Sequence, residues 1–293
     1  MSAGLPAMAV VAVLCSALVH ASWNVMLARA PRGHDTTAIA VTVGLLAWTP
    51  IALARWRAEP AVWPYVLASA ALELAYFAAL NFAYARVPAH AAYPVARGLA
   101  PTLLLPVALA AGADVPAVAG LGVLAISAGV LLTARGEADR RSVLAAVPVA
   151  VCIAGYTYVD ALGLRYADPA AYLWLTMAPV ALVLLALRLH ATRRAGGGIG
   201  ALAAQLRPAV FGLGVGIYLA YGLTLLALSM VSVAMVPAVA ALRETSILFV
   251  LGLSWLAGRR STVDDIGKPV RPSMATAAGA ILVLGGVVVL ALG

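Results

Sequence analysis

The stretch "AHAAYPVARGLAP", residues 89–101, sets a guanidinium, that of Arg97, inside a run from Ala89 to Ala111 that is otherwise almost wholly apolar. An arginine at the centre of a membrane helix costs about 2.5–3.5 kcal/mol on insertion scales, so a charge in such a place marks a site by default. The plainer alternative is a salt bridge that only ties two helices together. What surrounds this run decides between a soluble core and a bilayer.

The chain has 293 residues, 64% hydrophobic and 10% charged, where a soluble domain carries about 25% charged residues. Mean hydropathy is +1.02. Too few charges remain to keep so much apolar surface in water, whereas lipid solvates it. The formal charge of +8 is dispersed in short clusters between apolar runs. With no continuous basic arm or aromatic–basic stripe, it gives no reason to expect a nucleic acid partner.

A spanning helix needs about 20 mostly apolar residues. Ten such runs are separated by Pro, Gly or charge: 6–27, 36–54, 63–84, 89–111, 116–134, 142–163, 169–189, 208–229, 232–257 and 273–292. The first lacks a basic leader and continues into polar "NVMLAR", which predicts an uncleaved helix rather than a signal peptide. The expected class is therefore all-α, a polytopic integral membrane protein of ten transmembrane helices.

Two internal correspondences organise the runs. Asn24 and Arg29 superpose on Asp160 and Arg165 at an offset of 136 (160 − 24, 165 − 29), and Arg97 superposes on Arg243 at an offset of 146 (243 − 97). The longer loop around "TRRAGGGIG", residues 192–200, absorbs the difference and reads as a flexible linker. Residues 1–137 and 138–293 then form two five-helix repeats. An odd number of helices per repeat inverts the second relative to the first, and inverted repeats place a binding site near the midplane between halves. Lys and Arg crowd the loops after odd-numbered spans, while the opposite loops hold Arg55, Arg57 and Arg165. The positive-inside rule puts both termini on the extracytoplasmic side of a multi-pass cell-membrane protein.

Five ionisable residues fall inside spans: Glu73, Arg97, Asp160, Arg243 and Glu244. Helical spacing aligns Glu73, Tyr76, Phe77, Leu80, Asn81 and Tyr84 on one face, which is expected to look inward. Tyr93 lies one turn before Arg97, and Pro94 between them is expected to interrupt the backbone hydrogen-bond ladder and expose carbonyls to a cavity. The ninth run sets Arg243 and Ser246 on one side. His20, Trp23 and Asn24 share a face of the first helix, Tyr156 and Asp160 a face of the sixth; an interfacial aromatic belt is the alternative reading of Trp23 and Tyr156. Asp168 before Pro169 reads as a helix N-cap. Cys15 and Cys152, both in apolar runs, are expected to be buried inert thiols, and scattered histidines give no catalytic constellation, metal cluster or cofactor motif.

"HASWNVMLARA" (20–30), "AYARVPAHAAYPVARGLAP" (83–101), "YTYVDALGLRYADPAAY" (156–172) and "VAALRETSILFVLGL" (239–253) together resemble EamA-type members of the drug/metabolite transporter superfamily. That resemblance implies ten helices in two inverted repeats around a central cavity and export or exchange of small metabolites. Many members carry an acidic "GE" pair after the fourth and ninth helices; here those places read "AGADVP", where Asp114 is the available acid, and "LAGRRST", where none is. The expected function is a secondary transporter of a small anionic metabolite by alternating access. Arg97 and Arg243 form its anion site, since guanidinium pairs with carboxylate or phosphate through two hydrogen bonds. Tyr93, Tyr76, Asn24, Trp23, Tyr156 and Ser246 line that site, and Glu73, Asp160, Glu244 and His20 are the candidates for proton coupling. The alternatives are a flippase for a lipid or lipid-linked headgroup and, more weakly, an intramembrane enzyme, for which no water-activating or nucleophilic group is evident.

Overall fold

In lipid every backbone N–H and C=O must find its partner inside the protein, and a helix satisfies both from its own chain. The computed structural model describes residues 4–27, 34–133, 139–256 and 274–292, leaving aside the side chains of 25–27, 34–35, 89–90 and 254–256. Among these residues the chain is all-helical: α1 (Ala7–Leu27), α2 (His34–Ala54), α3 (Trp63–Tyr84), α4 (Ala89–Ala110), α5 (Ala117–Thr133), α6 (Arg140–Gly163), α7 (Pro169–Arg194), α8 (Ile199–Ala203), α9 (Pro208–Leu228), α10 (Val236–Arg243), α11 (Ser246–Leu256) and α12 (Met274–Leu292). Nine described segments are long and apolar enough to cross a membrane, and α5 is a shorter apolar helix. Large apolar side chains such as Leu67, Leu121, Leu182 and Ile281 stand exposed on the outside, as a lipid-facing surface requires.

The fourth span carries Pro94, Pro101 and Pro106 inside one unbroken helix, α4, each proline leaving its place in the ladder without a donor. Most boundaries fall within a few residues of expectation, but one helix departs from it. The ninth was expected to be continuous from 232 to 257, yet it divides at Glu244–Thr245 into α10 and α11. There the ladder tightens to Glu244 N–H→Ala241 O, 2.9 Å, and Thr245 N–H→Leu242 O, 3.1 Å. The Thr245 hydroxyl donates to the same Leu242 carbonyl at 2.7 Å. A threonine that bonds backward in this way competes with the regular ladder and bends it.

Small residues bring the outer helices together. A Cβ placed on Gly129 of α5 would lie 2.6 Å from the Gly279 carbonyl of α12, and one on Gly286 would lie 2.8 Å from the Gly122 carbonyl. Backbones approach this closely in lipid because dispersion contacts, rather than expulsion of water, hold helices together. Inside, α3 and α4 each pack on α6, while α1 packs on α9, α10 and α11. The "GGGIG" segment is partly structured, since Ile199–Ala203 forms α8. Cys152 is buried as expected, whereas Cys15 is exposed on the outward face of α1.

At one end the loops after α2 and α6 are joined by backbone bonds, Glu59 N–H→Tyr166 O and Asp168 N–H→Arg57 O, both 2.8 Å. Asp168 caps α7 by accepting from Ala170 N–H at 2.9 Å, as its place before Pro169 implied, and also pairs with Arg55 at 3.0 Å. Tyr65 stacks on Tyr166 with ring centroids 5.6 Å apart. At the opposite end, Asp139 caps α6 by accepting from Ser142 N–H and from its hydroxyl, each at 2.8 Å. Those two bonds, the backbone one foremost, hold the Asp139 carboxyl below its ordinary value.

Candidate functional site

Arg97 enters from the third turn of α4, and Arg243 is the last residue of α10. The two helices pack together and carry the arginines into the interior, where they are 7% and 6% exposed. Between them lies Glu244, 2% exposed. Its Oε2 forms an ion pair with Arg97 Nε, and its Oε1 stands 3.7 Å from Arg243 Nε. The acid that answers Arg97 is therefore Glu244, just after α10.

One carboxylate does not exhaust two guanidiniums. Arg97 Nη2 and Arg243 Nη2 are both buried without a hydrogen-bond partner, as are Trp23 Nε1 and Glu244 Oε1, whose 3.7 Å approach to Arg243 Nε is an ion pair too long for a hydrogen bond. An unanswered buried donor forgoes about 1–3 kcal/mol, more when charged. Around this core the Tyr93 ring faces the Arg97 guanidinium with its centroid 5.7 Å from Cζ, a cation–π distance. The Tyr93 hydroxyl and His20 Nε2 are 2.9 Å apart, and His20 meets Trp23 edge to face at 4.7 Å. Asn24 donates back to the His20 carbonyl at 2.8 Å and lies against Tyr93. Tyr156 lies against Arg243 and meets Tyr76 edge to face at 6.1 Å. Ser246, 5% exposed, begins α11 beside the trio.

A second polar cluster sits deeper on α6. Asp160, fully buried, accepts hydrogen bonds from Ser69 Oγ (2.6 Å) and Tyr172 Oη (3.1 Å) on Oδ1 and from Tyr221 Oη (2.6 Å) on Oδ2. Glu73, 5% exposed, has Tyr221 and Asp160 as neighbours. The sequence had singled out both acids but not Ser69, Tyr172 or Tyr221. Ser69 stands one turn before Glu73 on the same face of α3 and was within reach of that pattern. The two tyrosines lie on α7 and α9, and only tertiary packing brings them to α6.

The α3 stripe turns inward only in part. Glu73 is buried and Tyr76, Phe77 and Leu80 are half-buried, but Asn81 and Tyr84 at the end of the helix are exposed. A narrow crevice between α3, α4 and α6 reaches Arg97 from that end, lined by Leu80, Tyr84, Tyr93 and Ala146 among others. Asp114 is exposed in the turn after α4. Arg29, which entered the repeat alignment, and most of the "LAGRRST" segment lie outside the described residues.

No family model matches the chain, and no curated protein matches it. Twelve solved chains resemble it in structure. One, described only as a crystal structure of a protein, is 20% identical with a TM-score of 0.70, over 97% of this chain and 95% of its own. At that identity the likeness speaks for the fold.

Proposed function

We propose that the protein is an EamA-type secondary transporter of the cell membrane that moves a small anionic metabolite by alternating access. The observation that carries this reading is the buried trio of Arg97, Arg243 and Glu244, with two guanidinium Nη2 groups left unanswered. Two arginines against one carboxylate leave the trio with one positive charge. A substrate anion supplies both the missing acceptors and the missing charge.

Helix pairing supports ten spans in two inverted repeats, residues 1–137 and 138–293, with α10 and α11 together forming the ninth. Exchange the halves and the packing of α3 on α6 becomes that of α9 on α1; α2 on α9 becomes α7 on α3; α4 on α6 becomes α10 and α11 on α1. A helix interrupted beside an intramembrane charge is also how transporters build substrate sites. In this reading the joined loops at 57–59 and 166–168 seal the extracytoplasmic end, and the crevice past Tyr84 is the cytoplasmic approach. Glu73 and Asp160, sharing Tyr221, are the groups best placed to exchange a proton with the transport cycle.

The test is uptake into proteoliposomes against a panel of organic and inorganic anions, comparing wild type with Arg97→Ala. Saturable uptake abolished by the substitution supports the site; equal uptake by both proteins removes Arg97 from it. A flippase for a lipid headgroup is the second reading, favoured by the crevice opening between α3 and α4, whose mutual contact is slight. It is distinguished by translocation of a fluorescent phospholipid in the same vesicles without anion uptake.

A further inference from the structure

We infer that Glu244 is a specificity residue that sets the site for an anion of single negative charge. The inference rests on the reading of Arg97 and Arg243 as an anion site and goes on to its charge. Glu244 bridges the two arginines through opposite carboxylate oxygens, leaving the trio one net positive charge. The nearest other acids are already engaged: Asp160 has three hydroxyl donors, and Glu73 shares Tyr221 with it.

The donors that remain are suited to one small oxyanion group. They comprise Arg97 Nη2 and Arg243 Nη2, both without a partner, and the start of α11. Of the first four N–H groups of that helix, those of Ile247, Leu248 and Phe249 reach carbonyls of Glu244 and Thr245. The Ser246 N–H has no backbone acceptor among the described residues. A monoanion bound there neutralises the trio, whereas a dianion leaves it an excess negative charge beside the Glu244 carboxylate. In a low-dielectric setting that difference is heavily weighted.

Methanesulfonate and sulfate test this directly, because they are similar in size and keep charges of one and two at any working pH. Their dissociation constants are measured by calorimetry on the purified full-length chain at constant ionic strength. Wild type is expected to favour methanesulfonate, and Glu244→Gln, which leaves two net positive charges, to move the ratio toward sulfate by roughly ten- to a hundredfold. The double variant Arg243→Gln/Glu244→Gln restores one net charge without the bridge and is expected to favour methanesulfonate again, so it serves should the single variant fail to fold. An unchanged ratio in folded Glu244→Gln, or a sulfate preference in the double variant, overturns the charge-setting role while leaving the anion site standing. Failure of wild type and every variant to bind either anion overturns the anion site itself.

Discussion

The two spans that deliver the arginines reach the same interior by opposite means. Three prolines run through α4, yet it does not break; the ninth span has no proline or glycine at its break, yet it divides into α10 and α11. A proline forfeits one ladder bond and strains the turn before it, and neighbouring helices in a bundle absorb that loss. Because Pro101 has no N–H, the Arg97 carbonyl lacks its usual donor, so α4 offers an acceptor beside its arginine. On the other span the Thr245 hydroxyl takes the Leu242 carbonyl, and the Ser246 N–H is released. Proline count does not decide helix continuity here, and neither does a backward hydroxyl bond by itself, since Thr176 makes one to Tyr172 and Leu173 within unbroken α7.

The largest difference between the two spans is expected when each arginine is removed in turn. Arg97→Ala takes the ion-pair partner from Glu244 Oε2, whereas Arg243→Ala removes a partner standing 3.7 Å from Oε1. Unpairing a buried charge costs about 3–5 kcal/mol. Arg97→Ala is expected to show that loss in thermal unfolding together with loss of anion uptake; Arg243→Ala is expected to lose uptake with a smaller fall in stability. Equal destabilisation by the two would mean that Glu244 is shared evenly.

Tyr221→Phe asks whether any buried acid responds in this way. Asp160 is answered by hydroxyls rather than cations, and removing the 2.6 Å bond from Tyr221 leaves Ser69 and Tyr172 in place. A hydrogen bond to a charged group contributes about 1.5–3 kcal/mol, so the stability loss is expected to fall below that of Arg97→Ala. If Glu73 and Asp160 pass a proton through Tyr221, uptake driven by a pH gradient falls more than counterflow exchange. Parallel decline of both would make Tyr221 purely structural.

Much of this architecture was legible in the sequence because lipid imposes one strong rule. A charge inside an apolar run has to be met, so the five intramembrane ionisable residues already marked the interior. The partner of each charge was not legible. Arg97 and Glu244 are far apart in the chain, and helical periodicity reports only neighbours on one helix. The break at Glu244–Thr245 was hidden for a related reason: the direction in which the Thr245 hydroxyl turns is a tertiary choice. The Tyr76 face was read correctly near Glu73 and failed at Asn81 and Tyr84, where α3 runs out toward the end of the bundle.

Thr245→Val removes the hydroxyl at nearly constant shape. With the backward bond gone, the ninth span is expected to become more regular, and stability to change by no more than about 1 kcal/mol. Amide exchange at Ser246 is expected to slow as its N–H finds a helix acceptor, and anion uptake to fall. Unchanged exchange there would place the cause of the break in the arginine–glutamate trio instead. Pro101→Ala is the converse on α4, giving the Arg97 carbonyl a donor without opening or closing a break.

The smallest effect belongs to a helix start that follows the ordinary pattern. Asp139 caps α6 by accepting forward from Ser142, whereas Thr245, in the equivalent position before α11, donates backward to Leu242. The Asp139 carboxyl is held below its ordinary value, so its contribution is complete above the unfolded-state pKa and disappears as pH falls through the lowered folded-state value. Asp139→Ala is therefore expected to lower the unfolding temperature slightly at neutral pH, and the gap from wild type to close on acidification. Anion uptake stays at the wild-type level, because an exposed cap can be lost at the end of a helix without disturbing the interior. Thr245 differs, because its backward bond lies at the break between Arg243 and Ser246, inside the bundle.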